Sequence, residues 1–280
     1  MCLGNWKPSL DNDRKKMGVK LTAIKKHYRL GLVILLFSFS SNLLAASNAP
    51  LLIFHGGRGS CKYSSHTEGR SPYGMSLYRS FYALHQKLRR HYGKGEIKYL
   101  VGCFGYRSPL NEPSLYFTSE DPKTIQVAQP GELPEIVQEL MASNPYRPIY
   151  IAGHSYGGWR AMRLAERLGH LYDIRGLYTM DPISPVNCGT FQFLTGYKGC
   201  KEAPTDLDRE RIKENSQIWV NFYQNRDKGL HSSEIEEATN LHLTYKKDPP
   251  SKSGACHPYA DEDPRVWKII HRAVFSTLAR

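Results

Sequence analysis

The apolar run Pro148-Ile149-Tyr150-Ile151-Ala152 leads directly into Gly153-His154-Ser155-Tyr156-Gly157, and the amphipathic segment Trp159 to Leu168 follows at once. This order predicts strand, sharp turn, helix. Flanking glycines remove the side chains that would collide where a strand folds back into a helix, so the serine between them is held on a strained turn. The expected result is an exposed Ser155 hydroxyl at the top of a sheet, placed to attack. An ordinary glycine-rich turn would carry the same glycines, but without partners for the serine elsewhere in the chain.

A serine hydroxyl is a poor nucleophile near neutral pH. It needs a base to take its proton and a carboxylate to hold that base in the right tautomer. In the strand-turn-helix arrangement those partners follow in the order acid, then histidine. Arg175 to Met180 reads as a strand, and Asp181-Pro182 stands at its carboxyl end, where ligand sites of open α/β sheets lie. Asp181 is therefore the first candidate acid. Asp227 follows the next strand, Ile218 to Tyr223, and is the alternative, although Asn225-Arg226-Asp227-Lys228 reads as a solvated turn. His257 sits in a polar loop just before Asp263-Pro264, the cap and first residue expected of a final helix, and is the candidate base. His231 and His242 compete with it from a region read as loop and short strand, and His271, inside the last helix, reads as structural.

The stretch Pro50 to Phe54 reads as a buried strand running into His55-Gly56-Gly57-Arg58-Gly59. Glycines at such a turn let backbone N–H groups approach a developing oxyanion. Gly57 and Tyr156 are the expected donors, and such donors contribute about 3 to 4 kcal/mol to catalysis.

The His-Gly-Gly turn, Gly-His-Ser-Tyr-Gly-Gly, a strand ending in Asp-Pro and a late histidine before a C-terminal helix together resemble the α/β-hydrolase superfamily over residues 50 to 280. Thr179-Met180-Asp181-Pro182 resembles lipases and their relatives that take the acid from the strand after the nucleophile's helix. Trp219 to Gln224, Ala238-Thr239-Asn240 and His257 are similar to secreted hydrolases of that superfamily. The resemblance implies triad roles for Ser155, Asp181 and His257, a serine hydrolase of carboxylic esters, and no metal or organic cofactor. Thioesterases, amidases and peptidases use the same machinery, and a non-catalytic binding protein could keep the scaffold, so the fold does not fix the substrate.

Length and composition agree with one sizeable core: 280 residues, 40% hydrophobic and 23% charged. Residues 1–46 stand apart, with a basic segment through Arg29, the apolar run Leu32 to Phe37, and Leu43-Leu44-Ala45-Ala46. They read as a signal peptide, with Met17 as an alternative start and an uncleaved anchor as the alternative reading. Either reading places the catalytic domain, residues 47–280, outside the cytoplasm. The whole chain has 38 basic and 26 acidic residues; residues 1–46 hold eight and two of them, leaving 30 and 24, a balance of +6. A mixed solvated surface, with at most weak attraction to anionic membranes, follows. Nucleic-acid motifs, a P-loop and zinc-type Cys or His spacing are absent from the sequence.

Five cysteines remain after residue 46: Cys61, Cys103, Cys188, Cys200 and Cys256. Cys188 with Cys200 and Cys61 with Cys103 are conceivable pairs, which would leave Cys256 as a thiol beside His257; sequence does not determine connectivity.

Strands are expected at 50–55, 97–103, 148–152, 175–180 and 217–223, with helices near 73–91 and at 132–143, 157–168 and 264–278. Alternating strands and helices imply a compact α/β fold, a mostly parallel sheet with helices on both faces. Residues 182–217 are longer than a simple connection. With Phe191, Phe193, Leu194 and Tyr197 they read either as a small cap over a lipid-like acyl group or as a stapled surface loop. Arg58 to Tyr73 is expected to shape the entrance.

Overall fold

The computed structural model describes residues 49–57, 62–63, 70–71, 76–93, 97–103, 114–117, 125–128, 133–184, 202–227, 230–245 and 256–278. In chain order the elements are β1 (Leu51–His55), β2 (Lys62–Tyr63), β3 (Arg70–Ser71), α1 (Ser76–Tyr92), β4 (Lys98–Cys103), β5 (Ser114–Phe117), β6 (Ile125–Ala128), α2 (Leu133–Met141), β7 (Ile149–His154), α3 (Tyr156–Leu168), β8 (Ile174–Met180), α4 (Arg209–Glu214), β9 (Trp219–Tyr223), β10 (Thr239–His242), a 3-10 turn (His257–Tyr259) and α5 (Pro264–Leu278).

An eight-stranded sheet runs β10-β9-β8-β7-β1-β4-β5-β6. Pairing is parallel from β10 to β4, and β5 and β6 close the far edge as antiparallel strands. The central strands are buried on both sides, which explains why they read as continuous apolar runs rather than alternating ones. Successive residues nonetheless go to opposite faces. Leu52, Phe54, Tyr150, Ala152, Tyr178 and Met180 pack with Phe81 and Leu84 of α1 and with Trp267 and Ile270 of α5. Leu51, Ile53, Ile149, Ile151 and Leu177 pack on the other face with Val137 of α2 and with Met162, Ala165 and Leu168 of α3.

Register brings the functional segments together at one edge. His55 pairs with Gly153 and His154 with Met180, so β1, β7 and β8 end side by side at their carboxyl ends.

All nine expected elements are present, most with shifts of one to three residues at their ends. The strands β5, β6 and β10, the two-residue pair β2–β3 and helix α4 are additional. Among the described residues, no helix is long and apolar enough to cross a membrane. Residues 1–46 and Cys61, Cys188 and Cys200 lie outside the described residues, as do Phe191, Phe193, Leu194 and Tyr197. Of the 182–217 segment, residues 182–184 and 202–217 are described; Ile183 N donates to the Ser155 carbonyl, Ala203 N to Ser233 Oγ and Gln217 N to the Ile174 carbonyl, and several contacts are made with α3. Trp159 Nε1 donates to Asp206 Oδ2 at 3.0 Å, and Asn215 Nδ2 donates to the carbonyls of Ala165 and Glu166.

Candidate active site

Ser155 occupies the N-cap position of α3 with φ 57° and ψ −126°. That left-handed backbone is costly for a residue with a Cβ, on the order of 1–3 kcal/mol, and it persists because its surroundings over-determine it. Ser155 N donates to Met180 O at 2.9 Å, and its carbonyl accepts from Gly158, Trp159 and Ile183. A Cβ on Gly157 would run into the carbonyl oxygens of His55 and Gly56, so only glycine allows the β1 turn to close against the elbow. Serines at helix starts usually cap the first turn. The Ser155 side chain makes no cap bond. It is turned instead toward His257.

His257 Nε2 lies 2.8 Å from Ser155 Oγ, and His257 Nδ1 lies 2.6 Å from Asp181 Oδ2. A carboxylate can only accept, so Nδ1 carries the proton and Nε2 is left to accept from the serine hydroxyl. Asp181 is itself fixed. Its φ is 47°, Ser232 N donates to Oδ1 at 2.6 Å, and Gln224 Nε2 donates to Oδ2 at 2.8 Å. Burial pushes this carboxyl up. The electrostatic attraction of the neighbouring His257 and the hydrogen bonds from His257, Gln224 and Ser232 outweigh that and hold it below its ordinary value. Asp181 is thus an anion at neutral pH, suited to stabilising an imidazolium.

Two sequence expectations change. Ser155 is not exposed: 6% of its surface is open, because the β1 turn and the chain after Asp181 close around it. Asp227 does not orient the His257 ring, and it is more than a solvated turn residue. Its Oδ2 accepts from the His257 main-chain N at 2.6 Å. Sequence had no signal for that contact, which depends on two loops meeting.

His231 bonds the Ser232 carbonyl, His242 bonds Asn225 and stacks on Tyr223, and His271 lies in α5 near Lys87 and Trp267. Cys256 is packed in the apolar cluster shared with α1 and α5.

Gly57 sits against Ser155: a Cβ built on it would lie 3.1 Å from Ser155 Cβ. Tyr156 opens α3, so its N–H stands at the positive end of that helix. Its ring packs with Trp159 and Ile183, and its hydroxyl accepts from Arg160 at 3.2 Å. His55, ending β1 beneath the same turn, is driven down to about 3 by burial and by the Arg160 charge, so it is neutral. Among the described residues no group of three or more His, Cys, Asp or Glu could hold a metal ion.

The mostly parallel sheet, the strained serine turn between β7 and α3, and the order serine, aspartate, histidine along the carboxyl edge define the α/β-hydrolase fold. No family model and no curated protein matches the chain. Among solved structures it is similar to Est1E from Butyrivibrio proteoclasticus, at 14% identity over 84% of this chain and 90% of that one, with a TM-score of 0.43. It is also similar to a gene product of Listeria innocua (12% identity, 81% and 94%, TM-score 0.40) and to the Paleococcus ferrophilus monoacylglycerol lipase (14%, 82% and 95%, TM-score 0.33). At such values none of these names says what this chain acts on.

Proposed function

We propose that the chain is an exported serine hydrolase of carboxylic esters, with Ser155 as nucleophile, His257 as base and Asp181 as the acid. The observation that supports this most is the unbroken hydrogen-bonded line from Ser155 Oγ through both His257 nitrogens to Asp181, at 2.8 and 2.6 Å. Export rests on the reading of residues 1–46.

In this mechanism Ser155 Oγ attacks the ester carbonyl carbon while its proton passes to His257 Nε2. The imidazolium is stabilised by Asp181, and the oxyanion by the Gly57 and Tyr156 N–H groups. Collapse breaks the ester C–O bond, and His257 gives its proton to the departing alkoxide. A water molecule then loses a proton to His257 and attacks the acyl carbon; the bond to Ser155 Oγ breaks, His257 returns the proton to Oγ, and a carboxylic acid leaves. The α3 dipole favours the negative charge at its N-terminus.

The test is turnover of p-nitrophenyl esters from acetate to long-chain acids by the purified protein and by Ser155→Ala. Ester hydrolysis lost in the variant supports the reading, and the chain-length profile reports whether the acyl group is lipid-like. Equal turnover by both proteins would overturn it.

A further inference from the structure

Asp181 orients the His257 ring, but it does not place the His257 backbone. That backbone belongs to no strand. It opens a 3-10 turn, and within that turn only Ala260 N reaches the His257 carbonyl, at 3.2 Å. Two side chains from elsewhere complete its hold. Asp227 Oδ2 accepts the His257 N–H at 2.6 Å, and His154 Nε2 lies 2.8 Å from the His257 carbonyl oxygen. A carbonyl accepts only, so His154 carries its proton on Nε2.

Both side chains are tied to the other members of the site. His154 is the last residue of β7 and immediately precedes Ser155, so it links the base's backbone to the nucleophile's strand. Its ring is buried, 5.0 Å from the His257 ring, with Asp261 Oδ2 3.5 Å from Nδ1. Burial holds His154 below its ordinary value against the pull of Asp261, so it is a neutral donor. Asp227 belongs to the turn after β9. Gln224 Oε1 in that turn accepts the N–H groups of Arg226 and Asp227, while Gln224 Nε2 donates to Asp181. One turn therefore sets both the acid and the amide end of the base.

We infer that His154 and Asp227 are positioning residues that clamp the His257 main chain at its carbonyl and its amide, and so set the distance between Nε2 and Ser155 Oγ. The inference rests on the hydrolase reading. A displacement of about 1 Å in such a geometry can cost on the order of 100-fold in rate.

The test compares His154→Met, which keeps volume and removes the donor, with His154→Gln, which restores an N–H. It likewise compares Asp227→Ala with Asp227→Asn, whose carbonyl still accepts. Melting temperature, kcat, KM and the rate of fluorophosphonate labelling are read for each. The expected result is a loss of about 10- to 100-fold in kcat and labelling for Met and Ala at near-constant KM, with most of it recovered by Gln and Asn. The Met and Ala losses combined should fall short of their product, since both act on one residue. Asp227 is half-buried on a turn, so its pair decides the matter if His154→Met does not fold. Undiminished kcat in folded variants, or losses that Gln and Asn do not recover, would overturn the clamp while leaving the hydrolase reading standing. Wild-type protein that neither labels nor turns over esters would sink that reading and the clamp with it.

Discussion

Asp181 and His257 lie 76 positions apart in sequence and meet at 2.6 Å, and the character of each is set by what surrounds it. Asp181→Asn replaces an acceptor with an amide that favours the wrong imidazole tautomer. The expected loss in kcat is about 10³- to 10⁴-fold with the fold intact, measured by ester turnover alongside circular dichroism. A different consequence attaches to His55. Its folded-state pKa of about 3 lies below the ordinary 6.5, so between those values the unfolded chain binds a proton that the native state refuses. Stability is therefore complete above about pH 6.5 and falls as the pH drops toward 3, by up to about 1.4 kcal/mol per pH unit for this one group. His154 acts in the same direction. Urea unfolding of His55→Gln across that window should show a shallower pH dependence than wild type by up to one proton; an unchanged slope would mean that His55 does not titrate on unfolding. That Ser155, Asp181 and His257 meet was legible in sequence, because each stands at a strand end or before a capped helix. The contacts of Gln224, Ser232, His154 and Asp227 were not, since they form only where the end of β7, the segments after β9 and the His257 segment converge.

At the scale of elements, the elbow works because three pieces of backbone pass one another with no side chain between them. Gly157→Ala would drive a methyl into the carbonyls that end β1. Overpacking of this kind costs about 1–3 kcal/mol. A lower melting temperature is expected together with a fall in kcat, because the same shift moves Gly57 away from Ser155; activity and stability both at wild-type level would show that the turn has room. Strands and helices with long apolar patterns were legible. The pair β5–β6 was not: its strands are four residues each, set among Pro109, Pro113, Pro122 and Pro130, and prolines interrupt strand patterns. Helix α4 offers one buried residue, Ile212, in Arg-Glu-Arg-Ile-Lys-Glu, too little for a periodic signal. Its start is set by Asp208, whose side chain accepts from Arg211 N. The Asn221 side chain ties β9 to Thr179 of β8 and to Asn240 of β10, and it also holds the Ser233 carbonyl beside the residue that bonds Asp181. An edge strand so short gains its place from that polar network rather than from hydropathy.

Across the whole molecule, helices on both faces leave the carboxyl edge of the sheet as the place where loops from β1, β7, β8 and β9 gather, and every residue assigned a role stands there. That architecture was legible from the alternation of strands and helices. The sheet's outer strands were not, because edge strands carry little apolar pattern. Within residues 182–217, read from sequence as a cap or a stapled surface loop, Asp206 and Asn215 contact α3, the helix that follows Ser155. The central claim is that Ser155 is a nucleophile activated by His257. Its most direct measurement is incubation of the native protein with a fluorophosphonate, followed by intact-mass analysis and peptide mapping. The account predicts a single adduct on Ser155, absent from Ser155→Ala and slowed by orders of magnitude in His257→Ala; no adduct, or an adduct on another residue that persists in Ser155→Ala, would contradict it.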